Sequence, residues 1–302
     1  MSLLRGYRAA ALVLPLLLAT AVLADAGHPQ AFWRSLKEAQ FRLAPGQSAA
    51  ALASETTQLL GSTDPEMRDG IAYEALAAWV YRDQVLSAAQ LQQLQAQLER
   101  NAVSGLGHTD DDTLFLRSFS ILALSVLAAE DLQKPFLTQE QYASLVDLGV
   151  RSLTQERDLR GYVAVKGWGH ATAHAADLLK FLARNPRLTA AQQQRIVEAV
   201  TTRLRSAREV FVWGEDARLA ATLGAVARRT DAETASFSRW FDDLRAAHRR
   251  LWDGEFNPAL YVAERAQLNA LAQLSLNLDS DPAASGSPAI RELLRTASRE
   301  LR

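Results

Sequence analysis

The sequence predicts an all-α fold, and three observations support this prediction. Apolar residues recur three and four positions apart in almost every segment after residue 27, which is the period of an amphipathic helix. Hydroxyl residues such as Ser87, Thr138 and Thr189 stand where these segments begin, and such residues cap helix N-termini. No run alternates apolar and polar residues over the length of a strand, and no hairpin dipeptide separates β-branched runs.

The first 26 residues differ from the rest and are predicted to form a secretory signal peptide. Arg5 and Arg8 precede an apolar run over 9–24 that ends in small residues, which is the order found in signal peptides. The run is shorter than the ~20 residues that a membrane-spanning helix needs. We therefore expect a periplasmic or secreted protein whose mature chain starts near Gly27 and has no stable membrane span. An uncleaved N-terminal anchor is the alternative.

Residues 27–302 are predicted to form a single helical-repeat domain. Segments with helical period lie at 51–62, 68–83, 87–101, 115–131, 138–156, 190–207, 217–229, 233–252, 261–278 and 290–302. We expect about twelve helices in pairs spaced about 40 residues apart, which is close to the spacing of HEAT-type repeats. The predicted architecture is an irregular α-solenoid of stacked antiparallel helix pairs, HEAT/ARM-like, and a closed α/α toroid is the alternative.

The composition excludes some classes of partner. Of 302 residues, 48% are apolar and 22% are charged, and the formal net charge is −1. Proteins that bind nucleic acid usually have a basic excess or a basic stripe, and none is visible here, so we expect no nucleic-acid partner. The chain has no cysteine, so no disulfide can stabilise it and the apolar core must be sufficient.

The segment KGWGHATAHAADLLKFL (166–182) contains two of the five histidines. If a helix covers 169–182, then His170, His174 and Asp177 lie on one stripe of its surface. These three side chains are candidate ligands of a divalent transition metal. A metal-free polar pocket and a buried hydrogen-bonded contact between helices are the alternatives.

Further candidate residues stand just before this segment. Arg160, Tyr162, Lys166 and Trp168 fall within ten residues of His170, and this mixture of side chains suits a concave site for an anionic or polar ligand.

Two acidic clusters begin predicted helices. One comprises Asp110, Asp111 and Asp112, and the other comprises Glu215 and Asp216 beside Trp213. Carboxylates stabilise helix N-termini, so capping is the favoured explanation of the first cluster, and membership of the site is the alternative. Capping accounts for one acid of the second cluster, but not for both standing next to a large aromatic side chain.

Four blocks of the sequence form a recognisable set: RDGIAYEAL (68–76), FLRSFSILAL (115–124), DLRGYVAVKGWGHATAHAADLL (158–179) and EDARLA (215–220). Together, over roughly 64–278, they resemble the bacterial family called domain of unknown function 2785. The resemblance implies an all-helical fold and a shared set of signature residues, but no particular activity. Carried over residue by residue, the signature comprises Asp69, Glu74, Arg117, Arg160, Tyr162, Lys166, Trp168, His170, His174, Asp177, Glu215, Asp216 and Arg218.

The leading functional hypothesis is an exported binding protein for a small polar ligand, a peptide or a protein of the cell envelope. Its concave polar site would be assembled from His170, His174, Asp177, Glu215, Asp216 and Arg117. The first alternative is a metal-dependent, hydrolase-like enzyme that uses the two histidines and an acid. The second is a purely structural scaffold. We expect binding rather than catalysis, because the sequence has neither a complete metal motif nor a nucleophile arrangement.

Overall fold

A computed structural model of the chain describes residues 27–253, 255–280 and 286–301. The predicted signal peptide lies outside the described residues. Within them the chain is almost entirely helical, which confirms the all-α prediction.

The helices follow one another with short connections. They are α1 (Gln30–Glu38), α2 (Ala49–Leu59), α3 (Pro65–Met67), α4 (Glu74–Ala77), α5 (Ala88–Ala102), α6 (Thr113–Gln133), α7 (Gln139–Gln155), α8 (Ala171–Arg184), α9 (Ala190–Arg205), α10 (Glu215–Ala227), α11 (Ala235–Trp252), α12 (Pro258–Asp279) and α13 (Pro288–Glu300). Two π-helical turns, Arg68–Tyr73 and Ala78–Arg82, flank α4.

The predicted N-caps are confirmed at three helices. Ser87, Thr138 and Thr189 each accept a hydrogen bond from the backbone N–H three residues later, and a glutamine at that later position bonds back to the cap. These reciprocal bonds form capping boxes, which satisfy amides that a helix start otherwise leaves unpaired. They fix where α5, α7 and α9 begin.

The central helices pack in two rows. Helices α6, α8, α10 and α12 contact one another in that order, and α5, α7, α9 and α11 contact one another beside them. The small residues Ala173, Ala175 and Ala176 of α8 are buried, and α8 packs closely against both α6 and α10. The alanines of the histidine segment therefore let neighbouring helices approach α8 closely.

Helix α6 begins the first row and packs against α8 on one side and against α5 and the N-terminal helices on the other. It is long and apolar enough to cross a membrane by length and composition, and no other helix among the described residues meets that test. Most of its side chains are buried against other helices, as expected for the core helix of a globular protein.

One short hairpin departs from the prediction that no strands form. Strand β1 (Tyr162–Val163) pairs antiparallel with β2 (Gly167–Trp168), and the amide of His170 donates to the carbonyl of Arg160 at 3.0 Å. The strands are only two residues long, so the sequence shows no alternating pattern over this stretch. The hairpin occupies the connection between α7 and α8.

Candidate functional site

The hairpin is held against the helices by a buried arginine. The Arg68 guanidinium stacks on the rings of Phe115 and Phe119, at 4.2 and 4.8 Å from their centroids. Its Nη2 donates to the carbonyl of Lys166 at 2.7 Å. The Lys166 ammonium in turn donates to both carboxylate oxygens of Asp112, at 2.7 and 2.8 Å. The turn of the hairpin is therefore tied to the π-helical segment and to the start of α6.

A buried ion pair fixes the segment that leads into the hairpin. The buried guanidinium of Arg117 donates to both carboxylate oxygens of Glu156, at 2.6 and 3.1 Å. Glu156 also accepts from the amides of Arg157 and Asp158 at 2.9 Å. Arg117 was predicted to line the binding site, but all of these contacts are internal, so its side chain anchors the end of α7 to α6.

Arg160 forms a similar internal pair. Its guanidinium donates to the buried carboxylate of Asp158, with Nη2 to Oδ2 at 2.6 Å, and Nη2 also donates to the carbonyl of Asp111 at 2.8 Å. Asp158 accepts from the amide of Asp110 at 3.0 Å. Asp112 is the N-cap residue of α6 but its side chain makes no cap bond; instead Oδ1 of Asp111 accepts from the amide of Thr113 at 3.0 Å.

His170 stands at the junction between the hairpin and α8. The predicted helix started at 169, but α8 starts at Ala171, and His170 precedes it in a left-handed conformation with φ of 54°. Its Nε2 donates to the carbonyl of Trp213 at 3.0 Å. The same nitrogen lies 3.8 Å from Oε1 of the buried Glu215. Burial lowers the pKa of His170, against the raising effect of the Glu215 charge, so the ring is neutral at pH 7 and its Nδ1 is an acceptor.

His174 lies one helical turn further on, with its ring centroid 5.7 Å from that of His170. The hydroxyl of Ser118 donates to the carbonyl of Gly169 and lies 2.8 Å from Nδ1 of His174. Because the hydroxyl has one proton, Nδ1 of His174 must be the donor in this pair, which leaves Nε2 unprotonated. Burial lowers the pKa of His174 to about 3, so this imidazole is also neutral.

Asp177 is separated from the histidines by its own partners. One carboxylate oxygen accepts from Lys180 at 2.7 Å, and the other accepts from the half-exposed Arg218. Since each carboxylate oxygen already forms a salt bridge with a basic side chain, Asp177 does not complete a metal site with His170 and His174. No group of three histidine, aspartate or glutamate side chains in the described ranges is arranged to hold a metal ion, and the predicted metal set is therefore wrong in its geometry.

The two acids that begin α10, Glu215 and Asp216, differ in burial and in their hydrogen-bond partners. Glu215 is buried, and its Oε2 accepts from the amide of Trp213 at 3.0 Å, which leaves Oε1 facing His170. Oδ1 of Asp216 accepts from the next amide, that of Ala217, at 2.8 Å. Both acids were predicted to belong to the site, and the structure brings Glu215, but not Asp216, to His170.

Three aromatic side chains cover the outside of the His170–Glu215 contact. Tyr162, Trp168 and Trp213 are 50%, 37% and 47% exposed, and we call them the aromatic cluster. The ring of Trp168 stacks on His170 with centroids 4.7 Å apart. It meets the rings of Tyr162 and Trp213 edge-on, at 5.2 and 5.8 Å. The polar atoms of the three rings have no hydrogen-bond partner in the part of the chain that the structure describes.

A glycine makes room for the third ring. Trp213 lies directly over Gly161, where an added Cβ would stand 2.1 Å from the indole Cδ1. Beside this contact a cavity of about 420 Å³ opens between the hairpin and the segment before α10. Tyr162, Trp213, Glu215 and Arg160 line it. The other predicted site residues do not line this cavity; they are Arg117, Lys166, Trp168, His170, His174, Asp177, Asp216 and Arg218.

The family match falls on this part of the molecule. Residues 103–275 match the family model described as Protein of unknown function (DUF2785). The chain belongs to the DUF2785 family. The DUF2785 match contains α6, α8, α10 and the hairpin, so of the residues that build the site only Arg68 lies outside it. The RDGIAYEAL block, with Asp69 and Glu74, precedes the matched residues.

Other comparisons add little to the DUF2785 assignment. No curated protein matches the chain in sequence. The crystal structure of an engineered protein from the Northeast Structural Genomics Consortium is similar with a TM-score of 0.38 and 15% sequence identity. That similarity covers 82% of this chain and 96% of the other chain.

Three residues that build the site were not predicted from the sequence. Arg68, Ser118 and Glu156 are buried, and each bonds to the segment 156–169 or to a residue that positions it. Arg68 and Ser118 lie inside two of the quoted blocks. The available signal was their charge or polarity within otherwise apolar helical segments, because a buried polar group requires a partner.

Proposed function

We propose that this DUF2785 protein is a binding protein whose ligand occupies the cavity between the hairpin and the start of α10. One observation carries the proposal: His170 and Glu215, 45 positions apart in the sequence, come within 3.8 Å of each other beneath exposed aromatic rings. Exposed aromatic surface next to converging polar groups is typical of a ligand site.

The polar atoms at this place favour ligands that donate hydrogen bonds. Oε1 of Glu215, Nδ1 of His170 and Nε2 of His174 are acceptors without a hydrogen-bond partner among the described residues. Of these, Glu215 lines the cavity, so its free oxygen is the first acceptor that a ligand meets. A ligand hydroxyl or amine that donates to this oxygen would supply a hydrogen bond that the protein itself does not make.

The same geometry supports a structural function for other signature residues. Arg117, Arg160, Lys166 and Asp177 direct their charged atoms to internal partners. We assign them to holding the hairpin and α8 in place. The structural hypothesis and the binding hypothesis therefore apply to different residues of one signature.

The architecture and the location of the protein are part of the proposal. We propose that the helix pairs form an irregular α-solenoid, which is supported by the two rows in which alternate helices contact one another. We also propose export, on the N-terminal sequence alone. N-terminal sequencing of protein from a periplasmic fraction tests export: the proposal predicts a start near Gly27, and full-length protein in the cytoplasm contradicts it.

Ligand-induced thermal shifts test the binding function. We expect at least one compound from a set of neutral sugars, amino acids, dipeptides and nucleosides, at millimolar concentration, to raise Tm of the wild-type protein. Trp213→Ala and Glu215→Gln should each abolish that shift, whereas Trp252→Ala, an exposed tryptophan of α11 outside the cavity wall, should retain it. A shift that survives both site substitutions contradicts the proposed site.

A further inference from the structure

The cavity wall combines aromatic faces with unpaired polar groups. Tyr162 and Trp213 contribute rings that are about half exposed, and their own polar atoms, the phenol oxygen and indole Nε1, are free. Exposed tyrosine and tryptophan rings offer an apolar face and one polar atom each. They suit a ligand that has flat C–H surfaces next to hydrogen-bonding groups.

Charge in the wall is nearly balanced. Three arginines and four carboxylates line the cavity: Arg157, Arg160, Arg208, Asp110, Asp158, Glu209 and Glu215. Arg160 and Asp158 neutralise each other in a pair of 2.6 Å. A wall with both signs in similar number gives no strong attraction to a phosphate or to a polyamine, because neither charge is favoured overall. It does offer both acceptors and donors, which ligand hydroxyls need.

The rings are positioned before any ligand arrives. The Trp213 ring rests on Gly161, its amide donates to Glu215 at 3.0 Å, and its carbonyl accepts from His170 at 3.0 Å. A side chain held in this way loses little entropy on binding.

The packing of the rings narrows the class of ligand further. Centroids of the three rings are 5.2, 5.8 and 6.1 Å apart, so they touch one another and leave no space for a cation enclosed between them. A cage for a quaternary ammonium group is therefore not formed. A peptide that adds a strand is also disfavoured, since β1 and β2 have only two residues each.

We infer that the cavity binds an uncharged oligosaccharide. One sugar ring stacks on Trp213 and Tyr162, and its hydroxyls donate to the free oxygen of Glu215 and accept from Arg157. This inference rests on the proposed binding function and specifies its ligand. A proline-rich peptide is the competing class, because such peptides dock on aromatic grooves without a strand partner, but seven charged residues in the wall match hydroxyls better than proline rings.

Tryptophan fluorescence and calorimetric titration of the full chain test the inference. The probes are neutral hexasaccharides of β-linked glucose, α-linked glucose, β-linked N-acetylglucosamine and xylose, together with decaproline. We expect at least one hexasaccharide to bind with a Kd in the millimolar range or below, and Trp213→Ala to weaken its binding about tenfold or more. Trp252→Ala serves as the matched control and should bind as the wild type does.

The outcomes separate the inference from the proposed function. Gly161→Ala retains every aromatic ring, but its added Cβ displaces the Trp213 indole that packs against Gly161. It should therefore weaken binding as Trp213→Ala does. Circular dichroism checks that both variants fold. If decaproline binds, no hexasaccharide binds, and Trp213→Ala abolishes decaproline binding, then the ligand is not an oligosaccharide but the proposed binding site is correct. If no hexasaccharide binds, the inference is wrong. If thermal shifts also find no ligand, the binding function is wrong too.

Discussion

Two neighbouring regions of this molecule use similar side chains in opposite ways. Around Glu156 and Asp158, both carboxylates are buried and each is paired with an arginine, which is buried beside Glu156 and 30% exposed beside Asp158. Around Trp213, rings are half exposed and acceptors lack partners. The two regions adjoin, because Asp158 lines the same cavity as Trp213. The comparison teaches that the number of hydrogen-bonding groups does not mark a ligand site; what marks it is groups left unsatisfied beside surface that water reaches.

Mutations around Glu156 should lower the free energy of unfolding more than mutations around Trp213. Arg117→Met removes the guanidinium from the Glu156 carboxylate and leaves that charge buried without its cation. We expect the free energy of unfolding to fall by about 3–5 kcal/mol, measured by urea denaturation. A loss below about 1 kcal/mol, as is usual for an exposed pair, would remove the distinction between the regions.

The next largest effect concerns pH. Burial lowers the pKa of His174 to about 3 from an ordinary value of 6.5. Between these values the unfolded chain binds a proton that the folded chain does not, so stability is complete above pH 6.5 and declines as pH falls. The expected contribution is about 1.4 kcal/mol per pH unit across this window.

Denaturation at pH values from 7 to 4 measures this slope. In His174→Asn the slope should become shallower, because the titrating group is gone. His108→Asn removes an exposed histidine and is the matched control. An unchanged slope in His174→Asn would show that His174 is not responsible.

A smaller, stabilising effect is expected at the tip of the hairpin. Val165 is 92% exposed and has a φ of 68°, a left-handed conformation that is unfavourable for a β-branched residue. Asparagine tolerates this conformation, so Val165→Asn should raise stability by about 1 kcal/mol. Val212→Asn replaces another exposed valine that does not share this conformation and should leave Tm unchanged. Destabilisation by Val165→Asn would show that the valine side chain makes an interaction that offsets its strain.

The smallest effect is expected for the exposed pair that holds the same hairpin. Lys166→Ala breaks the contact with Asp112, in which both side chains are about two-fifths exposed. The backbone carbonyl that Arg68 binds remains. The loss in unfolding free energy should be about 0–1 kcal/mol and should shrink further in high salt. A loss as large as that of Arg117→Met would show that the exposed ion pair stabilises the fold as much as the buried ion pair does.

Much of the fold was predictable because it is local. The period of apolar residues and the caps at Ser87, Thr138 and Thr189 depend on neighbours within one helical turn, and these predictions are confirmed. The hairpin was missed, because Tyr162–Val163 and Gly167–Trp168 are too short for a pattern and depend on the distant Arg68. How the helix pairs curve depends on contacts that no local pattern encodes.

The site was predictable only in part. Pairing of His170 with an acid from the 215–216 segment was expected from residue types, and the structure brings His170 and Glu215 together. The grouping of His170, His174 and Asp177 failed for two reasons. His170 lies before the helix, where its left-handed backbone changes the direction of the side chain, and Asp177 is neutralised by Arg218, which comes from another helix. Sequence spacing within one helix contains neither fact.

The π-helical turn at Arg68–Tyr73 has a consequence for how this stretch tolerates change in length. A π-turn closes its hydrogen bonds over one more residue than an α-turn, so deleting one residue there would restore a regular α-helix with every backbone bond intact. The deletion would nevertheless turn all later side chains by about 100° relative to Arg68. Arg68 under the hairpin and Trp79, whose indole donates to the carbonyl of Phe41 at 2.8 Å, could then no longer both reach their partners. The extra residue of the π-turn therefore fixes how the helix after it, which carries Trp79, is rotated about its axis relative to Arg68.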